Sequence, residues 1–332
     1  MSKGFFLWLA KAALAALLSL ALLCGFCFFY YNVPVHFANP DGATEYRWEA
    51  RRFYSKGTEG FAWGRTNNEG FNNLFAHHPG ERVDVLLMGS SNMEGFNVAQ
   101  DENAGAVLNA LLGEEKTVYN IGVAGHTLLH CVKNLNAALD AYAPGELVIF
   151  ETMVLDFAPE ELDAVTQGLY PGIPSHSGGL LTLLQKLPFL RLFYTKYVKG
   201  ESFGDTGEAA KPARDLAAYE AALSRFLDKI AAESAAHGVK ALLVFSPGVH
   251  LSASGGACTD TDPEQLAIVS RLCEEKGVGF LDLTASYLAA YAEDAALPFG
   301  FSNTAPGEGH LNRVGHRLFA EGVSAWLREQ EG

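Results

Sequence analysis

From Val83 to Arg328, short apolar runs of strand length alternate with longer segments of helical periodicity, and few folds accommodate that alternation. The runs 83–88, 117–121, 146–151, 239–245 and 278–283 are expected as strands. Helices are predicted at 101–112 and 128–142, from Asp215 to a stop at Gly238, from Asp262-Pro263 to Gly277, and from about Asn312 to Arg328. Leu128, Val132, Leu135, Leu139 and Tyr142 fall on one helical face, with Thr127 placed to cap it. Tyr219, Leu223, Phe226, Leu227 and Ile230 do the same in the next helix. Strands joined through helices run parallel, and a parallel sheet is covered on both faces. The expectation is an α/β fold with a five-stranded parallel sheet between helical layers. No internal repeat interrupts it.

The amino terminus obeys a different constraint. Residues 12–31 carry no charge and almost no polar group. Twenty residues at 1.5 Å each cover roughly 30 Å, the hydrocarbon thickness of a bilayer. Lys3 and Lys11 precede this run, and Asp41 and Glu45 are the first charges after it. That asymmetry favours the amino terminus inside and the bulk of the chain outside. A cleaved signal peptide has a shorter apolar region ending in a small-x-small site. Here the run ends in Phe26-Cys27-Phe28-Phe29-Tyr30-Tyr31, an aromatic interfacial belt, so an uncleaved anchor is predicted. The chain then divides into a tail and anchor at 1–31, a juxtamembrane extension at 32–80 and the main domain at 81–330. The extension holds the turn signals Asn39-Pro40-Asp41-Gly42 and Asn67-Asn68-Glu69-Gly70, and its Arg51-Arg52 pair is read as a solvated face.

About half the residues are apolar, and the formal charge of −14 excludes the basic face that nucleic-acid binding requires. Cys131, Cys258 and Cys273 in the main domain show neither zinc-ligand spacing nor a disulfide framework, although a Cys258–Cys273 bridge is one option. An insertion at about 157–214 fits no βα unit. Its apolar stretch 180–199 carries Lys186, Arg191, Lys196 and Lys199, and Pro188 interrupts any single helix there. A helix pair over the sheet and a lid or membrane-surface helix both fit it.

Three blocks carry chemistry. Gly89-Ser90-Ser91-Asn92-Met93-Glu94-Gly95 follows the first strand, at the edge where α/β folds place their sites. A serine there can hold its hydroxyl beside backbone amides able to stabilise an oxyanion. Asn120-Ile121-Gly122-Val123-Ala124-Gly125-His126-Thr127 follows the second strand. Glu308-Gly309-His310-Leu311-Asn312-Arg313-Val314-Gly315-His316 precedes the last helix. Acyl transfer through serine needs a nucleophile, a base, a group orienting the base, and oxyanion donors. Ser91, His310 and Glu308 fit the first three roles, and the amides of Ser91 and Gly125 the fourth. Asn92 and His126 are candidate site-lining residues. His316 is read as a helix-surface or packing histidine, and His77, His78 and His250 have no convincing metal partners.

In this order the blocks resemble the SGNH (GDSL-like) hydrolase superfamily over about residues 83–328. Gly89, Ser91 and Gly95 match its first block, with Ser90 in place of the usual aspartate, a departure typical of membrane-attached envelope members. Gly125 matches the second block, and His310, Leu311, Asn312 and Gly315 match the fifth. The third block, Gly-x-Asn-Asp, is not recognisable in Phe150-Glu151-Thr152-Met153, so the usual third oxyanion donor has no counterpart. The acid is normally an aspartate two or three residues before the histidine, which leaves Glu308.

The resemblance implies a three-layer α/β/α flavodoxin-like fold with strand order 2-1-3-4-5, Ser91 as nucleophile, and no cofactor or metal. The amino-terminal anchor is similar to that of proteins of D-alanyl-lipoteichoic-acid assembly and exopolysaccharide O-acetylation. The expected function is a membrane-anchored, extracytoplasmic serine esterase or acyltransferase acting on acyl esters of an envelope glycan or lipid. The alternative is a catalytically weak binding or assembly protein of envelope-polymer modification, working with envelope-assembly partners.

Overall fold

The computed structural model describes residues 3–81, 83–113, 116–173, 187–193 and 215–331. A five-stranded sheet runs through its centre, formed by β1 (Val85–Met88), β2 (Val118–Asn120), β3 (Leu147–Thr152), β4 (Lys240–Phe245) and β5 (Gly279–Asp282). Every pairing in it is parallel, and the strand order is 2-1-3-4-5. Leu86 lies between Tyr119 on one side and Val148 on the other.

The strands are apolar on both faces because both faces are buried. Successive side chains alternate across a strand, so each strand feeds two cores. Leu86, Met88, Val148, Phe150, Leu243 and Phe245 pack under the helices Leu128–Lys133, Leu135–Tyr142, Leu216–Ala236 and Pro263–Lys276. Val85, Leu87, Leu147, Ile149, Leu242 and Val244 face the opposite layer of Ala104–Leu112, Thr284–Asp294 and Arg313–Glu331. The result is a three-layer α/β/α architecture.

The structure departs from the sequence reading in several places. The helix expected over 128–142 is broken at Asn134, which sits at φ −94° and ψ 2°. Glu45 pulls at that point: its Oε1 accepts from Lys133 Nζ at 2.7 Å and from Asn134 Nδ2 at 3.4 Å. Helices Pro159–Thr166 and Thr284–Asp294 add to those the sequence predicts. No helix runs through Pro188, as expected: it opens the helix Pro188–Phe193, where a first-turn proline lacks only an N–H that is orphaned anyway. The remainder of the insertion, 174–186 and 194–214, with the helix pair or lid expected there, lies outside the described residues. All five cysteines are free thiols, so no Cys258–Cys273 bridge forms.

The helix Lys3–Tyr30 has a mean hydropathy of 2.4 over its best window and almost no surface covered by the rest of the protein. It is long and apolar enough to cross a membrane, a property shared with signal sequences. Beyond it the chain folds back. Tyr31–Asn32 pairs antiparallel with Phe53–Lys56, which pairs in turn with Ala62–Arg65. A second hairpin joins His36–Ala38 to Tyr46–Trp48.

His316 ties the last helix to the helix Ala104–Leu112. It is buried, and its Nδ1 accepts from Ala104 N at 3.1 Å. Burial, helped by the charge of His310, lowers its pKa to about 3. An unfolded imidazole protonates near 6.5, so as pH falls the unfolded state takes up this proton first. The stability present at pH 7 is therefore lost progressively from pH 6.5 towards pH 3, by about 2 kcal/mol at pH 5. His316→Gln keeps an acceptor but not the titration. Urea unfolding of the full chain in detergent should show a smaller loss between pH 7 and pH 5 for the variant than for the native protein. Equal losses would show that His316 does not titrate as its burial requires.

Candidate active site

The turn after β1 is shaped by its own side chains. Ser90 caps the four-residue helix Ser91–Glu94, its Oγ accepting from Asn92 N at 3.2 Å. Gly95 closes the helix in the left-handed region, at φ +66°. Glu151, near the end of the neighbouring strand β3, braces the turn from below. Its Oε2 accepts from Ser90 N at 3.1 Å and from Ser90 Oγ at 2.9 Å, and its Oε1 accepts from Asn92 Nδ2 at 3.4 Å. Burial raises the Glu151 pKa against these hydrogen bonds, which lower it. Asn92 also reaches the carboxy-terminal loop, where its Oδ1 accepts from Leu311 N at 3.0 Å. Its Nδ2 lies 2.8 Å from Met153 Sδ.

These contacts set Ser91 against His310 across 219 residues of chain, with 2.9 Å between Ser91 Oγ and His310 Nε2. The other ring nitrogen, Nδ1, lies 2.6 Å from Glu59 Oε2. Glu59 Oε1 accepts from His310 N at 2.5 Å, so one carboxylate holds both the ring and the backbone of the histidine. The Glu59 side chain is 1% exposed, while His310 is 25% exposed. Burial pushes the Glu59 carboxyl upward, but the hydrogen bonds and charge of His310, with Lys56 beyond, outweigh it and hold the pKa below its ordinary value. Glu59 is thus an anion where it meets the ring, and His310 has hydrogen-bond partners on both nitrogens.

Glu59 comes from the amino-terminal extension, not from the block containing His310. This corrects the assignment of Glu308. Glu308 is exposed, and its backbone amide donates within its own loop to Ala305 O at 3.1 Å. Gly309 makes the difference. A β-carbon at Gly309 would overlap Glu59 Oε1, and its φ of +93° is itself unfavourable for other residues. The loop around Glu59 is then locked by Asn303. Its Nδ2 donates to Gly57 O at 2.9 Å and to Gly60 O at 3.0 Å, and its Oδ1 accepts from Gly60 N at 2.8 Å.

The second block closes the other side. Val123 N donates to Gly89 O at 3.2 Å, laying this loop along the serine turn. Buried Glu94 holds it there, its Oε1 accepting from Ala124 N at 3.0 Å and from Trp48 Nε1 at 2.6 Å. Burial raises the Glu94 pKa against those bonds. Tyr46 OH donates to Ala124 O. Among the described residues, neither Ser91 N nor Gly125 N donates a hydrogen bond to the backbone. Gly125 adopts φ +80°. His126 belongs to another contact: its Nε2 accepts from Glu45 N at 3.4 Å, and its ring stacks on His130 at 5.5 Å. Burial, with the charges of His130 and Lys133, lowers its pKa to about 3, so it is a neutral packing residue. The site-lining role expected for it is not what these contacts serve.

No family model matches the chain, and no curated protein does. Among solved structures it is similar to an aryl esterase of M. smegmatis, at 14% identity over 74% of this chain and 99% of that one, with a TM-score of 0.42. It is similar to a carbohydrate acetylesterase from Sinorhizobium meliloti at 12% identity over 75% of this chain and 100% of that one, with a TM-score of 0.42. An acetyl xylan esterase matches at 13% identity over 74% and 99% of the two chains, again with a TM-score of 0.42. Similarity at this level assigns no activity.

The position of Glu59 makes a sharp expectation. A carboxylate on the imidazole fixes its tautomer and stabilises its protonated form, so Glu59→Gln should lower kcat/KM on an aryl acetate by roughly 10–10³-fold. Glu308→Gln should stay within about 2-fold of the native protein, because its side chain is exposed and apart from the ring. The reverse ranking, measured on purified variants, would restore Glu308 as the orienting acid.

Proposed function

We propose that this chain is a serine esterase or acyltransferase of the SGNH (GDSL-like) type, anchored by its amino-terminal helix and acting on acyl esters of an envelope glycan or lipid. One observation carries the reading: Ser91, His310 and Glu59 form a continuous hydrogen-bonded chain of 2.9 Å and 2.6 Å at the carboxyl edge of a parallel sheet. The three blocks of the SGNH pattern and the 2-1-3-4-5 strand order support the same assignment.

In this reading His310 Nε2 takes the Ser91 proton as Oγ attacks the ester carbonyl carbon. The carbonyl oxygen becomes an oxyanion facing the amides of Ser91 and Gly125, and each such donor contributes about 3 kcal/mol of transition-state stabilisation. Glu59 stabilises the imidazolium that forms. His310 then returns the proton to the departing alcohol oxygen, leaving an acyl group on Ser91. A second hydroxyl, of water or of a sugar, gives its proton to His310 and attacks the acyl carbon; as the acyl–Oγ bond breaks, His310 passes that proton to Ser91 Oγ and restores the free serine. Water as acceptor makes the protein an esterase and a sugar makes it a transferase.

A binding or assembly role without catalysis leaves the buried Glu59 carboxylate on His310 unexplained. The charge-free run 12–31, with lysines before it and acids after it, supports an extracytoplasmic domain.

Ser91→Ala should lower aryl acetate turnover by at least ~10³-fold, as losses of a nucleophile do. A fluorophosphonate probe should label the native protein and not that variant. Retained turnover or labelling would remove Ser91 from its role. For topology, a reporter fused after Gly332 should be active outside the cytoplasmic membrane. Activity of that fusion in the cytoplasm would exclude an envelope substrate.

A further inference from the structure

The end of the apolar helix is built into the wall that holds Glu59. Tyr30 O accepts from Gly57 N at 2.7 Å, and Phe28 O accepts from Ser55 Oγ at 2.7 Å. Phe53 stacks on Phe28 with ring centroids 5.1 Å apart. The strand Phe53–Lys56 therefore lies level with the last turn of the helix, and Glu59 follows it closely. Even fully extended, the chain from Phe53 to Glu59 reaches no more than about 20 Å. With 12–31 in the hydrocarbon, the aromatic run Phe26-Cys27-Phe28-Phe29-Tyr30-Tyr31 stands at the membrane interface. The carboxylate that orients His310 is then within about 20 Å of that interface.

The neighbouring strand continues the aromatic band. Ser55 pairs with Trp63 and Lys56 with Ala62, so Trp63 stands at the level of Phe28. Trp63 is 54% exposed and Phe61 64% exposed, with their rings 5.9 Å apart. Phe29, on the last turn of the helix, is 55% exposed. Large aromatic side chains left in water forgo the stabilisation that burying their apolar surface would give. At a lipid headgroup layer the same rings are favoured, the indole N–H of tryptophan remaining hydrated while its body is buried.

We propose that the face bearing Phe29, Phe61 and Trp63 rests on the bilayer surface, and that the ester attacked by Ser91 is presented there on a lipid anchor. Continuity with the apolar helix selects the bilayer over a protein partner, because whatever surrounds the last turn of that helix also meets Trp63. This deepens the function proposed above and rests on it: Ser91 is the nucleophile and residues 3–30 the anchor. The chemistry is unchanged. The ester C–O bond of the anchored substrate breaks as the Ser91 acyl bond forms, and the serine proton leaves with the alcohol.

The full chain reconstituted in phosphatidylglycerol–phosphatidylcholine vesicles tests this with two substrates. One is a soluble aryl acetate; the other is a fluorogenic short-chain ester carried on a diacylglycerol anchor in the same vesicles. The native protein should turn over both. The double variant Phe61→Ser/Trp63→Ser should lose at least ~10-fold on the anchored ester, since it removes both interfacial rings. Its aryl acetate rate should stay within about 2-fold, because neither residue belongs to the Ser91–His310–Glu59 chain. An unchanged rate on the anchored ester, or an equal loss on both substrates, would overturn the proposal. If the native protein turns over the aryl acetate and ignores the anchored ester, the lipid-borne substrate is wrong while the esterase reading stands. If it turns over neither, the esterase reading itself fails.

Discussion

A buried carboxylate must find a positive or donating partner, and Glu59 finds His310. Almost everything around the candidate site follows from that contact. The side chain is 1% exposed, so an unpaired charge there would cost several kcal/mol. His310 supplies both its backbone amide and its ring nitrogen, which fixes the loop as well as the imidazole. Asn303 and Gly309 are consequences of the same demand. One ties down the turn that carries Glu59, and the other leaves room for the carboxylate to arrive. The amino-terminal extension is thereby fastened to the last loop of the sheet domain, far away in sequence.

Two further buried carboxylates show the same logic applied to backbone. Glu151 collects the amide and hydroxyl of Ser90 together with Asn92, and Glu94 collects Ala124 N and the Trp48 indole. Each sits under one of the loops that carry a proposed oxyanion amide. Burial raises both pKa values, so each carboxyl gains a proton more readily than in water. Hydrogen bonds from fixed donors counter this.

The sheet was legible because apolar runs buried on both faces leave a strong local signature. All five strands fall within a residue or two of the runs read from sequence, and the strand order follows from the family resemblance. Ser91 and His310 were legible because each lies in a short motif on a loop after a strand. Glu59 was not. It sits in Gly57-Thr58-Glu59-Gly60, which looks like any exposed turn, and 251 residues separate it from its partner. Glu308 is the nearer acid in sequence, but nearness in sequence is not nearness in space. Two residues before a histidine, a side chain can equally point to solvent, and here the glycine between them opens the space that a distant glutamate fills. The break at Asn134 was hidden for a related reason. Periodicity across 128–142 continues without a fault, and the perturbation comes from Glu45 in the extension.

The extension thus acts on the sheet domain at several places, among them Glu59 on His310, Glu45 on the helix pair at Asn134, and Tyr46 on the loop of Gly125, with Trp48 on the Glu94 that holds that loop. Two of these reach the proposed catalytic groups from opposite sides, one through the base and one through the oxyanion loop. A sheet domain without residues 31–80 would keep the core of Val85, Leu87, Ile149 and Val244, but the opposite core would lose Tyr46, Trp48, Tyr54 and Phe71. It would lose the acid on the histidine and the support under Ala124. The site therefore draws on a segment outside the sheet. The parallel sheet places Ser91 and His310 at one edge, and a segment outside the sheet supplies the carboxylate that bonds the histidine. That segment also grips the last turn of the apolar helix, so the element that completes the site is the one that orients it relative to the membrane in the proposed arrangement.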